Sequence, residues 1–326
     1  MREATVRVGA IDCGTNSIRL LVADVDPISG AVSDVLRRME IVRLGHGVDR
    51  TGVIAPESME RTLAVTREYA AACRDLGAVR ARFVATSASR DARNAGEFID
   101  GVQSTFLEHY GAEVSPEVVS GDEEAALSFS GATAGLAAQG VPGPYLVVDI
   151  GGGSTEFVRG TALVEAARSV DIGCVRMTER HLVSDPPTAD EIAGATRDID
   201  AAIDFAESTV PLDGVATLVG LAGSVTTITA HLLRLPAYQP ERIHLSRASV
   251  ADVLAACDDL LHLSRAQRTE LPYMHPGRVD VIGAGALVWR RVVERVAARA
   301  GITEVMTSEH DILDGIALSV APGPRG

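Results

Sequence analysis

The stretch VGAIDCGTNS, residues 8–17, places an apolar run before an aspartate and a turn rich in glycine and hydroxyl residues. The pattern occurs again at residues 146–154, LVVDIGGGS, where aspartate, glycine and serine keep the same spacing. Each copy predicts a buried strand that leads through a turn into a second strand, as in a β-hairpin. Asp149 follows Asp12 by 137 residues, about the length of one domain. The chain is therefore predicted to contain two related domains.

Strands and helices alternate through the rest of the chain, a pattern typical of α/β proteins. Apolar residues recur at spacings of three and four from Pro56 to Gly77, which predicts an amphipathic helix. We expect an α/β fold with an N-terminal domain at residues 1–123 and a C-terminal domain at 124–307. The C-terminal helix 308–320 is a candidate to complete the N-terminal domain.

Composition indicates a folded, soluble protein. Of the 326 residues, 46% are hydrophobic and 23% are charged, whereas disordered chains are poor in apolar residues. No apolar run reaches the 18 residues or more that indicate a membrane-spanning helix. The N-terminal residues lack the apolar segment and cleavage site of a signal peptide. We therefore expect a cytoplasmic protein.

Charge and cysteine content exclude several classes of site. The net charge is −14 and no basic stretch is visible, so neither nucleic acid nor a membrane is expected as a partner. All 30 basic residues are arginine, which excludes Schiff-base lysine chemistry and the lysine of a P-loop. The four cysteines form no CxxC pair, so neither a zinc site nor a disulfide framework is expected.

The two glycine- and serine-containing turns are candidate phosphate sites. Glycine permits backbone conformations in which successive N–H groups converge on an anion, and hydroxyl groups add further donors. An aspartate at the strand end can hold a divalent cation. For either copy by itself, a plain hairpin is the alternative. The predicted substrate contacts are Asp12, Gly14, Thr15, Asn16 and Ser17 in the first copy and Gly151, Gly152, Gly153 and Ser154 in the second.

Two further strand ends fit the same chemistry. In Thr86-Ser-Ala-Ser-Arg90 a strand ends in hydroxyl residues, and Arg90 is predicted in the first turn of the next helix, where it would bind an anion. The alternative is a surface arginine paired with Asp91 or Asp122. The turn Gly223-Ser224 also follows a strand and starts a helix, and its alternative is close packing of that helix on the strand.

The acidic segment at residues 119–124, VSGDEE, supplies a candidate catalytic group. Ser120 and Glu123 have the spacing of a capping box, and Asp122 suits a helix N-terminus. Glu124 has no such structural task and could position or deprotonate a water molecule. The alternative is that all three acids only stabilise the first turn of the helix.

These segments together resemble the exopolyphosphatase/guanosine pentaphosphate phosphohydrolase family (Ppx/GppA), within the actin and sugar-kinase superfamily. The resemblance covers residues 6 to about 320 and includes the segment Gly173-Cys-Val-Arg-Met-Thr-Glu179. It implies two ribonuclease-H-like domains with an interdomain active-site cleft, the short two-domain form, and a homodimer. It assigns catalysis to Glu124, phosphate contacts to the turns and Arg90, and Mg²⁺ or another divalent cation to Asp149 and Glu156.

The predicted activity is hydrolysis of the terminal phosphoanhydride of inorganic polyphosphate, with release of orthophosphate. The closest alternative is guanosine pentaphosphate 5′-phosphohydrolase, which shares the chemistry but recognises a nucleotide. A nucleotide-dependent kinase and a non-catalytic sensor of phosphate-rich ligands are further alternatives, and measurement of turnover separates these classes.

Overall fold

The computed structural model describes residues 5–26 and 30–321. The strands are β1 Val6–Cys13, β2 Ser17–Val25, β3 Val32–Ile41, β4 Arg80–Ala85, β5 Glu117–Val118, β6 Tyr145–Ile150, β7 Thr155–Gly160, β8 Val164–Val170, β9 Thr217–Leu221, β10 Arg247–Ser249 and β11 Glu304–Thr307. The helices are α1 Val48–Thr51, α2 Pro56–Asp75, α3 Ser87–Asp91, α4 Ala95–His109, α5 Gly121–Thr133, α6 Cys174–His181, α7 Ala189–Glu207, α8 Ala222–Leu232, α9 Pro240–Ile243, α10 Val250–His262, α11 Arg265–Thr269, α12 Ile282–Ala300 and α13 Ile312–Val320. No helix of the described residues is long and apolar enough to cross a membrane.

The chain forms two compact units. The first extends to Ala134 and is completed by the segment that begins at Ile312, and the second comprises Gly135–Asp311. The boundary expected between residues 123 and 124 falls inside α5. This helix packs so closely on α13 that Gly315 of α13 has no room for a side chain. An added Cβ there would lie 2.0 Å from the carbonyl oxygen of Leu127 in α5. Both helices therefore belong to the first unit.

The first unit is built on a mixed sheet with the strand order β3-β2-β1-β4-β5. Strands β1, β2 and β3 pair antiparallel, whereas β1, β4 and β5 are parallel. Alternate residues of a strand face opposite sides of a sheet. Val8 and Ala10 contribute to the core that includes α13, and Ile11 and Cys13 contribute to the core that includes α2 and α4. Apolar side chains thus cover both faces.

The second unit repeats this topology. Its sheet has the order β10-β11-β9-β6-β7-β8, in which β6, β9 and β11 are parallel and β6, β7 and β8 are antiparallel. Read from β8, the order β8-β7-β6-β9-β11 corresponds to β3-β2-β1-β4-β5, so each repeated sequence motif occupies the equivalent hairpin of its sheet. Trp289 of α12 packs against Gly220 at the end of β9. The predicted α/β class is confirmed, with two mixed sheets.

The packing of α13 on the first sheet predicts a large stability effect. Ile316 is completely buried in the core that contains Val8 and Leu21. Ile316→Ala removes apolar contacts and leaves a cavity, so we expect the free energy of unfolding to fall by about 2–5 kcal/mol. Urea unfolding measures this loss. Leu107→Ala is the control, because Leu107 is 62% exposed and should change stability little. Equal small effects of both substitutions would contradict this account of α13.

Candidate functional site

The two repeated hairpin turns have the same backbone geometry. The Gly14 amide donates to the Ser17 carbonyl at 2.9 Å, and the Gly151 amide donates to the Ser154 carbonyl at 3.0 Å. In each unit the turn lies at the carboxyl end of the central strand, β1 or β6. Because parallel strands end at the same edge of a sheet, the segments after β4 and β5 lie beside the first turn, and those after β9 and β11 lie beside the second.

In the second unit, the start of α6 holds the carbonyl groups of the turn. The amides of Cys174 and Val175 donate to the carbonyls of Gly151 and Gly152, both at 2.9 Å, and the Gly173 amide donates to the Gly153 carbonyl at 3.1 Å. A trans peptide points its N–H opposite to its C=O. The amides of residues 152–154 therefore point away from α6, and no acceptor within the described chain contacts them. These three successive N–H groups are candidate donors for an anion.

The first unit holds its turn in a similar way. The Gly45 amide donates to the Thr15 carbonyl at 2.9 Å, and the amides of Val42 and Arg43 donate to the Asn16 carbonyl at 3.1 and 2.8 Å. The Thr15 hydroxyl also forms a buried 2.8 Å hydrogen bond with the Ser87 hydroxyl, at the start of α3. The turn and the segment after β4 are thus fixed to each other. The predicted contacts at residues 14–17 lie in one rigid loop.

The two turns differ at one cross-strand position. Asp12 lies opposite Arg19 in the β1–β2 register, and Arg19 donates to the Asp12 carboxylate at 2.7 and 2.9 Å. Asp149 lies opposite Glu156 in the β6–β7 register, and both side chains are buried. The first turn therefore has a neutralised aspartate, whereas the second has two adjacent buried carboxylates. This difference separates the two turns chemically.

The carboxylate pair of the second unit fits a divalent cation. Mg²⁺ prefers oxygen ligands and is commonly held by one or two carboxylates, with water and phosphate oxygens completing its shell. Directly opposed side chains of an antiparallel pair lie close together, so Asp149 and Glu156 can supply two such oxygens. The Ser169 hydroxyl donates to Glu156 at 2.7 Å and fixes that side chain. Within the described ranges, no group of three or more His, Cys, Asp or Glu side chains is arranged for a metal.

Burial distinguishes Glu124 from its acidic neighbours. Asp122 and Glu123 are exposed, whereas Glu124 is 8% exposed. The Ser120 hydroxyl accepts from the Glu123 amide at 3.2 Å, as the capping box predicts. The Glu123 carboxylate, however, accepts from Arg82 at 2.7 Å. Of the three acids in the first turn of α5, Glu124 is thus the one that is buried in the protein. It lies at the sheet edge that carries the hairpin turn of the first unit.

Arg90 lies in the short helix that follows β4. It is the fourth residue of the five-residue α3 and so lies in the first helical turn, as predicted, but the backbone becomes extended at Ala92 and a separate helix follows. Its guanidinium donates to the Val119 carbonyl at 2.8 Å and to the Glu124 carboxylate at 3.2 Å. Neither predicted surface pairing, with Asp91 or Asp122, describes this contact. Arg90 instead connects the segments that follow β4 and β5.

The turn at Gly223 and Ser224 follows β9 and begins α8. Ala222 has a φ of 64°, a conformation that is rare for residues other than glycine and that costs energy. A Cβ at Gly223 would lie 2.3 Å from the guanidinium carbon of Arg278, which donates to the Gly223 carbonyl at 3.0 Å. Close packing at Gly223 is therefore real, and it involves an arginine as well as the strand.

The cysteines near the two turns are not reactive groups. Burial raises the pKa of the Cys13 thiol well above its usual range. Burial also raises the pKa of the Cys174 thiol, although a hydrogen bond with Ser224 opposes this effect. Both thiols therefore stay protonated near neutral pH, and the site chemistry depends on oxygen and guanidinium groups.

Sequence reasoning did not identify three arginines near these turns. Arg19 pairs with Asp12, Arg278 packs on Gly223, and Arg176 donates to the Gly153 carbonyl at 2.7 Å. Arg19 could have been found from the sequence. Extending the alignment of the two repeats by two residues aligns Arg19 of the first copy with Glu156 of the second. Arg278 lies 55 residues from Gly223, and only the fold brings these two residues together.

Comparisons with known proteins show the family of the chain. A model of the Ppx/GppA phosphatase family matches residues 21–320. Over 323 residues the chain is 49% identical to a Mycobacterium tuberculosis protein named Exopolyphosphatase 2, with 98% of this chain and 99% of the relative covered. A crystal structure described as an exopolyphosphatase-like protein is 43% identical, with a TM-score of 0.91 and coverage of 97% and 98%. The Aquifex aeolicus PPX-GPPA enzyme is 29% identical, with a TM-score of 0.77 and coverage of 96% and 99%.

The contact of Gly173 with the second turn is testable. A Cβ at this position would lie 2.3 Å from the backbone carbon and oxygen of Gly152. Gly173→Ala must therefore displace the turn or α6, at a cost of about 1–3 kcal/mol. We expect a lower melting temperature and weaker binding of orthophosphate, measured by calorimetry. Gly96→Ala is the control, because no atom lies within 4 Å of its added Cβ. Unchanged phosphate binding in Gly173→Ala would contradict the assigned anion site.

Proposed function

Because the chain belongs to the Ppx/GppA phosphatase family, we propose that it is an exopolyphosphatase, which hydrolyses the terminal phosphoanhydride of inorganic polyphosphate and releases orthophosphate. The observation that carries this proposal is the buried Glu124, held by Arg90 at the sheet edge that bears the first anion-accepting turn. The 49% identity with Exopolyphosphatase 2 supports the same substrate class.

In the proposed reaction, Glu124 orients the attacking water and accepts its proton while the water oxygen attacks the terminal phosphorus. The remaining polyphosphate leaves with one phosphate fewer. Arg90 holds the Glu124 carboxylate through one oxygen at 3.2 Å, and this carboxylate is the candidate base. General base catalysis of this kind contributes roughly 10²- to 10⁴-fold to a rate.

Binding of the anionic substrate is assigned to backbone amides and arginines. The chain has a net charge of −14 and no lysine, so attraction to polyphosphate must come from local donors. The amides of residues 152–154 and the turn at residues 14–17 supply such donors without adding side-chain charge. In phosphoryl transfer, positioning and electrostatic stabilisation supply most of the rate enhancement. We propose that these donors hold the terminal phosphates for attack.

A divalent cation is assigned to Asp149 and Glu156. When bound, Mg²⁺ would neutralise charge on the phosphate oxygens. Asp12 is the equivalent residue of the first unit, and it lies opposite the cationic Arg19, with which it pairs. We assign Asp12 to positioning of the first turn, and Asp149 to the cation because the residue opposite it is a second carboxylate. A cytoplasmic location, expected from the composition and the N-terminal residues, and a homodimer, implied by the family resemblance, both stay predictions.

Replacement of the proposed base tests the function. Glu124→Gln keeps the shape and the contact with Arg90 but cannot accept a proton, so orthophosphate release should fall at least about 100-fold. Release is measured with Mg²⁺ from tripolyphosphate, long-chain polyphosphate, guanosine pentaphosphate and ATP. Glu123→Gln is the control, because Glu123 lies on the same turn, is exposed and pairs with Arg82. It should retain nearly full activity.

The substrate panel separates the alternatives. Release confined to guanosine pentaphosphate would replace the proposal by the nucleotide phosphohydrolase. Absence of release from every compound would leave a kinase or a binding protein. Near-normal release by a folded Glu124→Gln variant would remove this residue from the mechanism.

The cation assignment gives a separate prediction. Glu156→Gln removes one of two adjacent carboxylates, so the Mg²⁺ concentration for half-maximal activity should rise by about tenfold or more. Activity at increasing Mg²⁺ concentration measures the shift. Glu165→Gln is the control, since Glu165 is an exposed glutamate on the neighbouring strand β8. Identical Mg²⁺ dependence in wild type and Glu156→Gln would refute the assignment.

A further inference from the structure

We propose that Arg176 is a positioning residue for phosphate binding, which acts by fixing the peptide between Gly153 and Ser154. Its consequence for activity rests on the proposed function. The supporting observation is a buried guanidinium whose Nε donates to the Gly153 carbonyl at 2.7 Å. Arg176 itself is 9% exposed, so its side chain lies beneath the turn, where it fixes the backbone.

The Gly153 carbonyl accepts two hydrogen bonds. One comes from the Gly173 amide at 3.1 Å and the other from the Arg176 guanidinium. The Gly152 carbonyl also accepts two, from the amides of Val175 and Arg176 at 2.9 and 3.1 Å. Arg176 thus contacts two consecutive peptide groups of the turn, one through its backbone and one through its side chain.

This support matters because the turn contains three consecutive glycines. Glycine has the largest conformational freedom of any residue, so the turn can adopt orientations in which the peptide planes rotate. Rotation of the Gly153–Ser154 peptide would aim its carbonyl oxygen at the phosphate in place of the Ser154 amide. The charged hydrogen bond from Arg176 opposes this rotation, because charge-assisted bonds are roughly twice as strong as neutral ones.

The same bond polarises the peptide that it holds. Hydrogen bonds in series strengthen one another, since a donor on the carbonyl oxygen makes the N–H of that peptide a better donor. The Asp171 carboxylate lies 3.7 Å from the Arg176 guanidinium and offsets part of its charge, so Arg176 favours an anion at the Ser154 amide mainly through the polarised peptide. The amides at the start of α6 act on the same carbonyl groups, so the partial positive charge of the helix N-terminus adds to this effect.

Three substitutions separate the donor from the charge. Arg176→Met removes both, Arg176→Gln retains a neutral donor, and Arg176→Lys retains a cation with one donor. We expect kcat/KM for tripolyphosphate to fall about 10- to 100-fold in Arg176→Met, the range for loss of a charged hydrogen bond. On a logarithmic scale, the decrease in kcat/KM for Arg176→Lys should be at most half of that for Arg176→Met. The decrease for Arg176→Gln should lie between those of the other two variants.

Binding is measured separately from turnover. Each variant is combined with Glu124→Gln, and the Kd for tripolyphosphate with Mg²⁺ is determined by calorimetry well below the melting temperature. We expect Arg176→Met to raise this Kd by about tenfold or more. A role limited to folding would lower the melting temperature and leave the Kd of the folded protein unchanged.

Arg268→Met is the matched control. Arg268 is another buried arginine of the second unit, 5% exposed, and donates to the carbonyls of Leu260 and Leu261, both at 3.1 Å. Its replacement should lower stability without changing the tripolyphosphate Kd. Equal effects of Arg268→Met and Arg176→Met on the Kd would overturn the positioning role.

The two proposals fail in distinguishable ways. If folded Glu124→Gln protein binds tripolyphosphate and Arg176→Met does not weaken that binding, the role of Arg176 is refuted and the proposed function stands. If the wild-type protein releases no orthophosphate and Glu124→Gln does not bind tripolyphosphate, the proposed function itself fails. Recovery by Arg176→Lys supports the positioning role directly.

Discussion

The arrangement of both turns depends on hydrogen bonds to their carbonyl groups. A peptide is planar and trans, so a donor that holds its carbonyl oxygen also sets the direction of its N–H group. The segment Val42–Gly45 provides such donors in the first unit, and the start of α6 provides them in the second. The direction of the N–H groups in each turn is therefore determined by a neighbouring segment. This requirement explains why Gly173 must lack a side chain where it meets Gly152.

Two similar units have acquired different chemistry through a small number of positions. Their sheets share one strand order and their turns share one internal hydrogen bond. Opposite the aspartate at the strand end, however, the first unit has Arg19 and the second has Glu156. An arginine there yields an ion pair, whereas a glutamate concentrates negative charge that a cation can balance. The two turns thus differ at one cross-strand position, where the first unit has a cationic side chain and the second has a carboxylate.

Sequence reasoning predicted the α/β class and the two hairpins, because these have local signals. It also selected Glu124 as the candidate catalytic group, and that role stays a prediction. The spacing of aspartate, glycine and serine identified the repeat, and the Ser120 cap marked the start of α5. The break between α3 and α4 has no proline or glycine to mark it, so the sequence did not show that Arg90 lies in a helix of only five residues. The contacts of Arg278 and Arg176 depend on residues distant in the chain, so local patterns could not reveal them.

The completion of the first unit by α13 has a consequence for biosynthesis. One face of its sheet, including Val8, Ala10 and Leu21, is covered by a core to which Ile312, Leu313 and Ile316 contribute. These residues leave the ribosome only after all of Gly135–Asp311 has been made. The second unit is continuous and can fold first, since domains generally fold as units during synthesis. The first unit must keep part of an apolar sheet face uncovered until the residues of α13 have been translated, and transiently exposed apolar surface of this kind favours aggregation.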